Sequence, residues 1–513
     1  MKRTKILLWP TLASGLLASL AFPKFNLSFL IWIALIPLFF VIFQSKPKRA
    51  FLAGWLAGVT FYGLLLYWIP YVPAHYGNLS FSLSLAIYFI FILFLGLFWA
   101  GFAWLLTIII KGFPRLAYIL AGFLWVSFEY ILTFLFTGFP WGLLGYAQAK
   151  NLPLIQISTI TGVYGVSFLI VLLSASFVQA LLTRNKAPFF LSLALILALH
   201  LTGFIQLRSS HASSSPELKA AVIQGNVSSD IYWDFTPEAE IERLFELHLN
   251  LTRQAINQGA RLIIWPEFSV PLCFSCPEER YANFRLRLEN LVKETGTTLL
   301  LGTNERSAKT YEPEFYNTAL CLNPDLSYTT YYKMHLVPFG EYTPYKKIFS
   351  FIEKVTHAIG DVTPGKEHRL HYFQGLAFGS PICYEIIFPD LVRKFVRKGA
   401  SFLVTITNDG WYGTSSAPYQ HFQIALFRAV ENRRYLLRAA TTGISGIIDP
   451  YGRIIKRSDL MTIATLVASF RPLKRLTFYS RYGDVWSWLS LTLSFLSVIL
   501  CVIKRRNEQQ KHK

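Results

Sequence analysis

Eight apolar runs dominate this chain, near residues 5–22, 25–43, 51–72, 81–110, 116–136, 158–182, 188–207 and 484–503. About 20 residues of helix cross a hydrocarbon core of roughly 30 Å. Backbone surrounded by lipid must satisfy its hydrogen bonds within its own segment, so such runs have little choice but helix. A polytopic α-helical membrane bundle is therefore expected over residues 1–207, about seven helices, with a last helix and basic tail over 481–513. Lys2, Arg3 and Lys5 ahead of a short apolar stretch also suit a cleaved leader. The second run follows at once, however, which fits a helical hairpin turning at Pro23-Lys24 better.

Charge is distributed as two solvents would demand. The formal net charge is +20, with 53% apolar and only 15% charged residues. Residues 208–480 hold 31 Lys and Arg against 26 Asp and Glu, so about +15 lies outside that stretch. The excess sits in loops flanking apolar runs, which argues against nucleic acid as a partner. Lys46, Lys48, Arg49, Lys111, Arg115, Arg184, Lys186 and the Lys504–Arg506 tail fall on one side of an eight-span layout. The positive-inside rule makes that side cytoplasmic, along with both termini, and turns residues 208–480 outward. Glu129 is the lone acidic residue within an apolar run, and a structural hydrogen bond inside the bundle accounts for it better than chemistry.

From Leu218 onward, short β-rich runs alternate with amphipathic segments. Strands are expected at Lys219–Gln224, Arg261–Pro266, Thr298–Gly302, Ala319–Leu322, Leu376–Gly379, Phe402–Thr407 and Gly446–Asp449. Helices are expected over Glu238–Gly259, Leu286–Thr295 and Arg428–Arg438. The alternation predicts a layered α/β domain, and about 270 residues are enough to bury a core without disulfides. Cys273-Phe-Ser-Cys276 lacks a second pair or nearby histidines, so a surface disulfide or two free thiols is preferred over zinc; no metal or cofactor is expected.

Three segments place reactive side chains at or just beyond strand ends: Trp265-Pro266-Glu267, Tyr332-Lys333-Met334-His335, and Ile382-Cys383-Tyr384-Glu385. A free thiol with pKa near 8.5 is mostly protonated at neutral pH, so a nucleophilic cysteine needs a base or a cationic neighbour. Glu267 suits the base. Lys333 suits the stabilisation of an oxyanion, aided by a backbone N–H such as that of Tyr384. Lys333 is further expected to be removable without loss of fold, since Glu267 could take up a proton. Each residue alone has an ordinary structural explanation; the three together do not.

In that order and spacing the three segments resemble the Glu-Lys-Cys site of the nitrilase superfamily. Gln224-Gly-Asn226, Asn408-Asp-Gly-Trp411-Tyr-Gly and Thr442-Gly-Ile-Ser-Gly extend the likeness over roughly residues 218–465. A nitrilase-like αββα sandwich inserted between the seventh and eighth apolar helices, with Lys333-Met-His-Leu-Val-Pro-Phe-Gly-Glu-Tyr and Cys383-Tyr-Glu intact, resembles the apolipoprotein N-acyltransferase family over nearly the full length. The resemblance implies catalytic Glu267, Lys333 and Cys383, with Glu341, Tyr384 and Glu385 in support and Glu341 orienting Lys333. It implies an inner-membrane enzyme with an outward, periplasmic catalytic domain and no cofactor, acting as a monomer. Its donor would be a phospholipid such as phosphatidylethanolamine, and its acceptor a diacylated apolipoprotein. Trp233, Phe339, Tyr342, Trp411 and Tyr412 are aromatic loop residues suited to lipid contact. A membrane-tethered amidase or nitrilase is the competing function.

Overall fold

The computed structural model describes residues 2–209, 215–228, 236–269, 273–307, 314–343 and 362–511. Two compact units emerge: one of Met1–Pro70, Phe81–Ser210 and Tyr482–Lys513, the other of Tyr71–Ser80 and His211–Arg481.

Each of the eight apolar runs contains helix, though not all are continuous. Among the described residues, five helices are long and apolar enough to cross a membrane: Phe81–Gly112, Ala117–Phe134, Val163–Thr183, Ala187–Arg208 and Val485–Gln510. The second run is not one helix. It breaks into Ser28–Leu30, Ile31–Ala34 and Ile36–Gln44, with Pro37 near the start of the last piece. A proline ring removes a backbone donor and crowds the preceding turn, which ends one helix and starts the next. Helices Pro47–Leu65 and Phe81–Gly112 pack where small residues let their backbones approach: a Cβ on Gly54 would lie 2.4 Å from the Trp99 carbonyl oxygen. Glu129 is buried, and its Oε1 accepts from Trp125 Nε1 at 2.9 Å and from the Leu144 N–H at 2.8 Å. It fastens the 141–148 segment to its own helix.

The second unit contains two six-stranded sheets among the described residues. The strands are β1 (Leu218–Gln224), β2 (Leu262–Ile264), β3 (Thr298–Arg306), β4 (Phe315–Leu322), β5 (Tyr328–Tyr332) and β6 (His371–Phe373). Then follow β7 (Leu376–Gly379), β8 (Phe402–Thr407), β9 (Leu436–Ala440), β10 (Gly446–Ile448), β11 (Ile454–Arg457) and β12 (Ala464–Phe470). One sheet runs β12-β1-β2-β3-β4-β5 and the other β11-β10-β9-β8-β7-β6. In each, three strands are parallel: β1, β2 and β3 in the first, β7, β8 and β9 in the second.

Side-chain alternation explains the layers. Ala221, Ile223, Ile263, Leu299 and Leu301 point to one face, where they form a core with Phe245, Leu249, Leu288 and Val292 from helices Glu238–Asn257 and Glu279–Thr295. The intervening Ala220, Val222, Leu262 and Leu300 are equally buried on the opposite face. There Gln224 Oε1 accepts from Ser445 Oγ at 2.6 Å and Ser458 Oγ at 2.8 Å, tying the two sheets together. Behind the second sheet lie helices Pro389–Arg397 and Ala417–Asn432, the latter buried at every position but Tyr419. The order is helix, sheet, sheet, helix.

One expected element is wrong. The helix supposed to run through Arg438 stops at Asn432, because Arg433 adopts a left-handed backbone with φ of 50° and the chain leaves as β9. The disulfide option at Cys273 and Cys276 holds, with Cα atoms 5.3 Å apart, but the pair is buried rather than on the surface. Glu305 explains the burial: its carboxylate accepts from Thr303 Oγ1, the Phe274 and Ser275 N–H groups and the Ser275 hydroxyl.

Candidate active site

Parallel strands all end on one side of their sheet, and loops leaving those ends are where α/β folds gather functional groups. Glu267 follows β2, Cys383 follows β7 and Asn408 follows β8. Lys333 follows β5 of the first sheet, so Glu267 and Lys333 come from one sheet and Cys383 from the other.

Glu267 is 2% exposed, and both of its carboxylate oxygens accept hydrogen bonds. Its Oε1 receives Asn317 Nδ2 at 2.8 Å and Lys333 Nζ at 3.3 Å; its Oε2 receives the Asn408 N–H at 2.7 Å. Its backbone is held as closely: β3 passes so near that a Cβ on Gly302 would sit 2.6 Å from the Glu267 Cα, which only glycine permits. Lys333 is equally buried and also meets Glu341 Oε1 at 2.9 Å. Asn317 Nδ2 bridges to that same Glu341 oxygen at 2.8 Å, while Glu341 Oε2 accepts from the Val337 N–H. Burial opposes the charge on Lys333, but Glu267 and Glu341 outweigh it and hold the ammonium above lysine's ordinary range.

Cys383 opens a short 3₁₀ turn, Cys383–Ile387, with its own backbone in the left-handed region at φ 49°. The thiol is buried. Burial first, and then the charge of Glu267, raise its pKa above the ordinary value, with Lys333 and a hydrogen bond from Thr407 pulling the other way. At rest this is a thiol beside a carboxylate, not a thiolate. Asp409 and Tyr412 lie within electrostatic reach of the same sulfur.

Glu385 stitches the two loops. Its carboxylate accepts from the Ile382 N–H at 2.7 Å on the cysteine side, and from the Met334 N–H at 2.7 Å and His335 N–H at 3.1 Å on the lysine side. Tyr331 Oη donates to it at 2.8 Å. Burial pushes its pKa up to about 7 against those four donors.

The structure thus gathers Glu267, Lys333, Cys383, Glu341, Glu385 and Tyr384 into one cluster, with Tyr384 buried beside the cysteine. Of the aromatic candidates, Phe339 is exposed at φ 60°, and Tyr342, Trp411 and Tyr412 are half-buried. Trp233 lies outside the described residues. Sequence reasoning missed Asn317, a polar side chain buried next to Thr318 in the first half of β4, ahead of apolar Ala319–Leu322, and a polar pair at that point of a strand is the signal that could have found it. It also missed His421 and Arg438, which have no local signature.

A two-sheet, four-layer domain with this site at its strand ends defines a carbon–nitrogen hydrolase type of protein joined to an apolar helical unit. Residues 219–473 match the family described as Carbon-nitrogen hydrolase, and residues 14–176 match the Apolipoprotein N-acyltransferase N-terminal domain. The chain belongs to the apolipoprotein N-acyltransferase family. It is 39% identical over 488 residues to the apolipoprotein N-acyltransferase of Geobacter metallireducens, covering 93% of this chain and 91% of that protein. It is 32% identical to that of Methylococcus capsulatus, covering 98% and 97% respectively. Among solved structures, Saccharomyces cerevisiae Nit3, of the nitrilase superfamily, aligns with a TM-score of 0.40 and 22% identity, covering 51% of this chain and 93% of that one.

Proposed function

We propose that this enzyme moves a fatty acyl chain from a phospholipid, phosphatidylethanolamine being the expected donor, to the α-amino group of a diacylglyceryl-cysteine at an apolipoprotein N-terminus, through a thioester on Cys383. Transfer rather than hydrolysis is supported by the relationship to N-acyltransferases, which extends over 93% of the chain and takes in the apolar unit. Five helices fit to cross a membrane support work at a bilayer, and the basic loops support a periplasmic catalytic domain of an inner-membrane protein with cytoplasmic termini.

The geometry suggests the steps. As the Cys383 sulfur attacks the ester carbonyl carbon, its proton passes to Glu267 and the carbonyl oxygen becomes an oxyanion facing Lys333 and the Tyr384 N–H. The tetrahedral intermediate collapses, the ester C–O bond breaks, Glu267 returns the proton to the departing oxygen, and lysophospholipid leaves a thioester behind. The neutral amine then attacks the thioester, losing its proton to Glu267. The C–S bond breaks and the sulfur takes that proton back. Two products leave in two half-reactions, so ping-pong kinetics are expected.

Intact-mass measurement after incubation with phospholipid tests this directly. A gain equal to one acyl group, absent in Cys383→Ala and discharged by a diacylated lipopeptide, is the expected result. Ammonia release from small amides with no adduct on Cys383 would instead favour the amidase.

A further inference from the structure

The peptide joining Cys383 to Tyr384 is held on its carbonyl side by a buried chain of side chains. His421 Nε2 lies 3.2 Å from the Cys383 carbonyl oxygen, and His421 Nδ1 lies 2.8 Å from Asp409 Oδ1. Asp409 Oδ2 in turn accepts from Arg438 Nη2 at 2.7 Å. All three side chains are fully enclosed. They arrive from three elements: the turn after β8, helix Ala417–Asn432 and β9.

A carbonyl oxygen only accepts, so His421 Nε2 carries the hydrogen of that contact. With the ring hydrogen on Nε2, Nδ1 accepts from Arg438 Nη2 at 3.1 Å, and the same Arg438 nitrogen donates to Asp409 Oδ2, so the buried Arg438–Asp409 pair anchors the other ring edge. Arg438 and His421 overcome burial and hold the Asp409 carboxyl down at about 2. What needs anchoring is plain from the backbone. Cys383 has φ of 49°, the left-handed region that L-residues rarely adopt and that persists only where surroundings enforce it.

In a trans peptide the C=O and the following N–H lie in one plane and point in opposite directions. Fixing the Cys383 carbonyl therefore fixes the direction of the Tyr384 N–H. We infer that His421 is a positioning residue for acyl transfer: by gripping the Cys383 carbonyl it sets the plane of the 383–384 peptide and aims the Tyr384 N–H at the oxygen of the carbonyl under attack. The inference rests on Cys383 being the nucleophile proposed above. His421 touches no reacting atom; it acts through the backbone it holds.

Two amide substitutions separate the two edges of the ring. In His421→Asn the amide sits near the position of Nδ1, keeping Asp409 company while abandoning the Cys383 carbonyl. In His421→Gln it reaches the position of Nε2 and keeps the carbonyl. The full-length enzyme in detergent is given a p-nitrophenyl ester, whose burst reports acylation, and separately iodoacetamide, whose reaction with Cys383 develops no oxyanion. His421→Asn is expected to slow the burst by about 10- to 100-fold, since displacing an oxyanion donor costs up to what deleting one does. The loss falls in the rate at saturating ester, not in the half-saturating concentration, while alkylation stays within about threefold and His421→Gln keeps the burst within about fivefold.

Equal bursts in the asparagine and glutamine variants, or alkylation falling in step with acylation, would overturn the inference. If His421→Asn does not melt at the wild-type temperature, Asp409→Asn replaces it, leaving the imidazole but removing the anion that orients it, with the same ratio expected. A wild-type enzyme that gives no burst and no adduct on Cys383 would defeat the proposed function and the inference together. A wild-type burst with unaltered variants defeats the inference alone.

Discussion

Cys383 and its neighbours set the chemistry by their charges. With its thiol pKa raised by burial and by Glu267, little thiolate is present near neutrality, and the base must act during attack rather than before it. Alkylation of Cys383 by iodoacetamide should accordingly be at least about tenfold slower at pH 7 than that of a free cysteine with pKa near 8.5, and should keep rising beyond pH 9. A rate already level below pH 8 would contradict a resting thiol. Glu267→Gln removes the negative neighbour, so alkylation at a given pH should quicken while ester acylation falls by about 10²- to 10⁴-fold. Lys333 is a different case from the one expected. Two buried carboxylates, Glu267 and Glu341, share it, so one protonation cannot compensate for its loss. Lys333→Ala should cost about 3–5 kcal/mol of stability as well as turnover, read as a lowered melting temperature.

At the scale of elements, the site is a matter of loops held against each other. Glu385 joins the lysine and cysteine loops by accepting from four donors. Glu385→Gln turns one oxygen into an N–H₂ group facing an N–H, and should destabilise the protein by about 1–3 kcal/mol with acylation reduced; an unchanged denaturation midpoint would show that the loops do not depend on it. How far these elements could be read in advance follows from their physics. β1, β3, β7 and β8 are short apolar runs bounded by turn residues and were visible, as were the amphipathic helices. β9 was not: Leu436-Leu-Arg-Ala-Ala440 carries residues of high helix propensity, and the left-handed turn that separates it from the helix falls on Arg433 rather than on glycine. β11 is exposed along its length and has no apolar face to betray it. The Glu, Lys and Cys were legible because strand ends and chemistry coincide in sequence. Asn317, His421 and Arg438 were not, because their partners lie 50, 38 and 29 positions away and only the fold makes them neighbours.

Across the whole molecule, the division of the chain is not the division of the sequence. Tyr71–Ser80 lies between two apolar helices in sequence yet groups with the catalytic unit. There the Tyr76 hydroxyl donates to the Gly410 carbonyl at 3.2 Å, and its ring meets Trp411 edge-on at 4.7 Å. Those contacts brace the turn whose Asn408 N–H holds Glu267. Tyr76→Ala in the full-length chain should reduce turnover by about 3- to 10-fold through misplacement of that turn, and Tyr76→Phe, which keeps the ring, by less. Phospholipid-dependent acylation of Cys383 measures both, and equal rates would release the segment from any part in the site.

The seam between the sheets carries one more consequence. Glu267 and the Cys383 sulfur reside on separate sheets. A chain grown only through β5 holds Glu267 and Lys333 but not that sulfur, and even the first sheet is finished last, by β12, after every strand of the second. The three side chains can meet only when both sheets are complete and closed on one another, so the last strand to form is also the one that finishes the site.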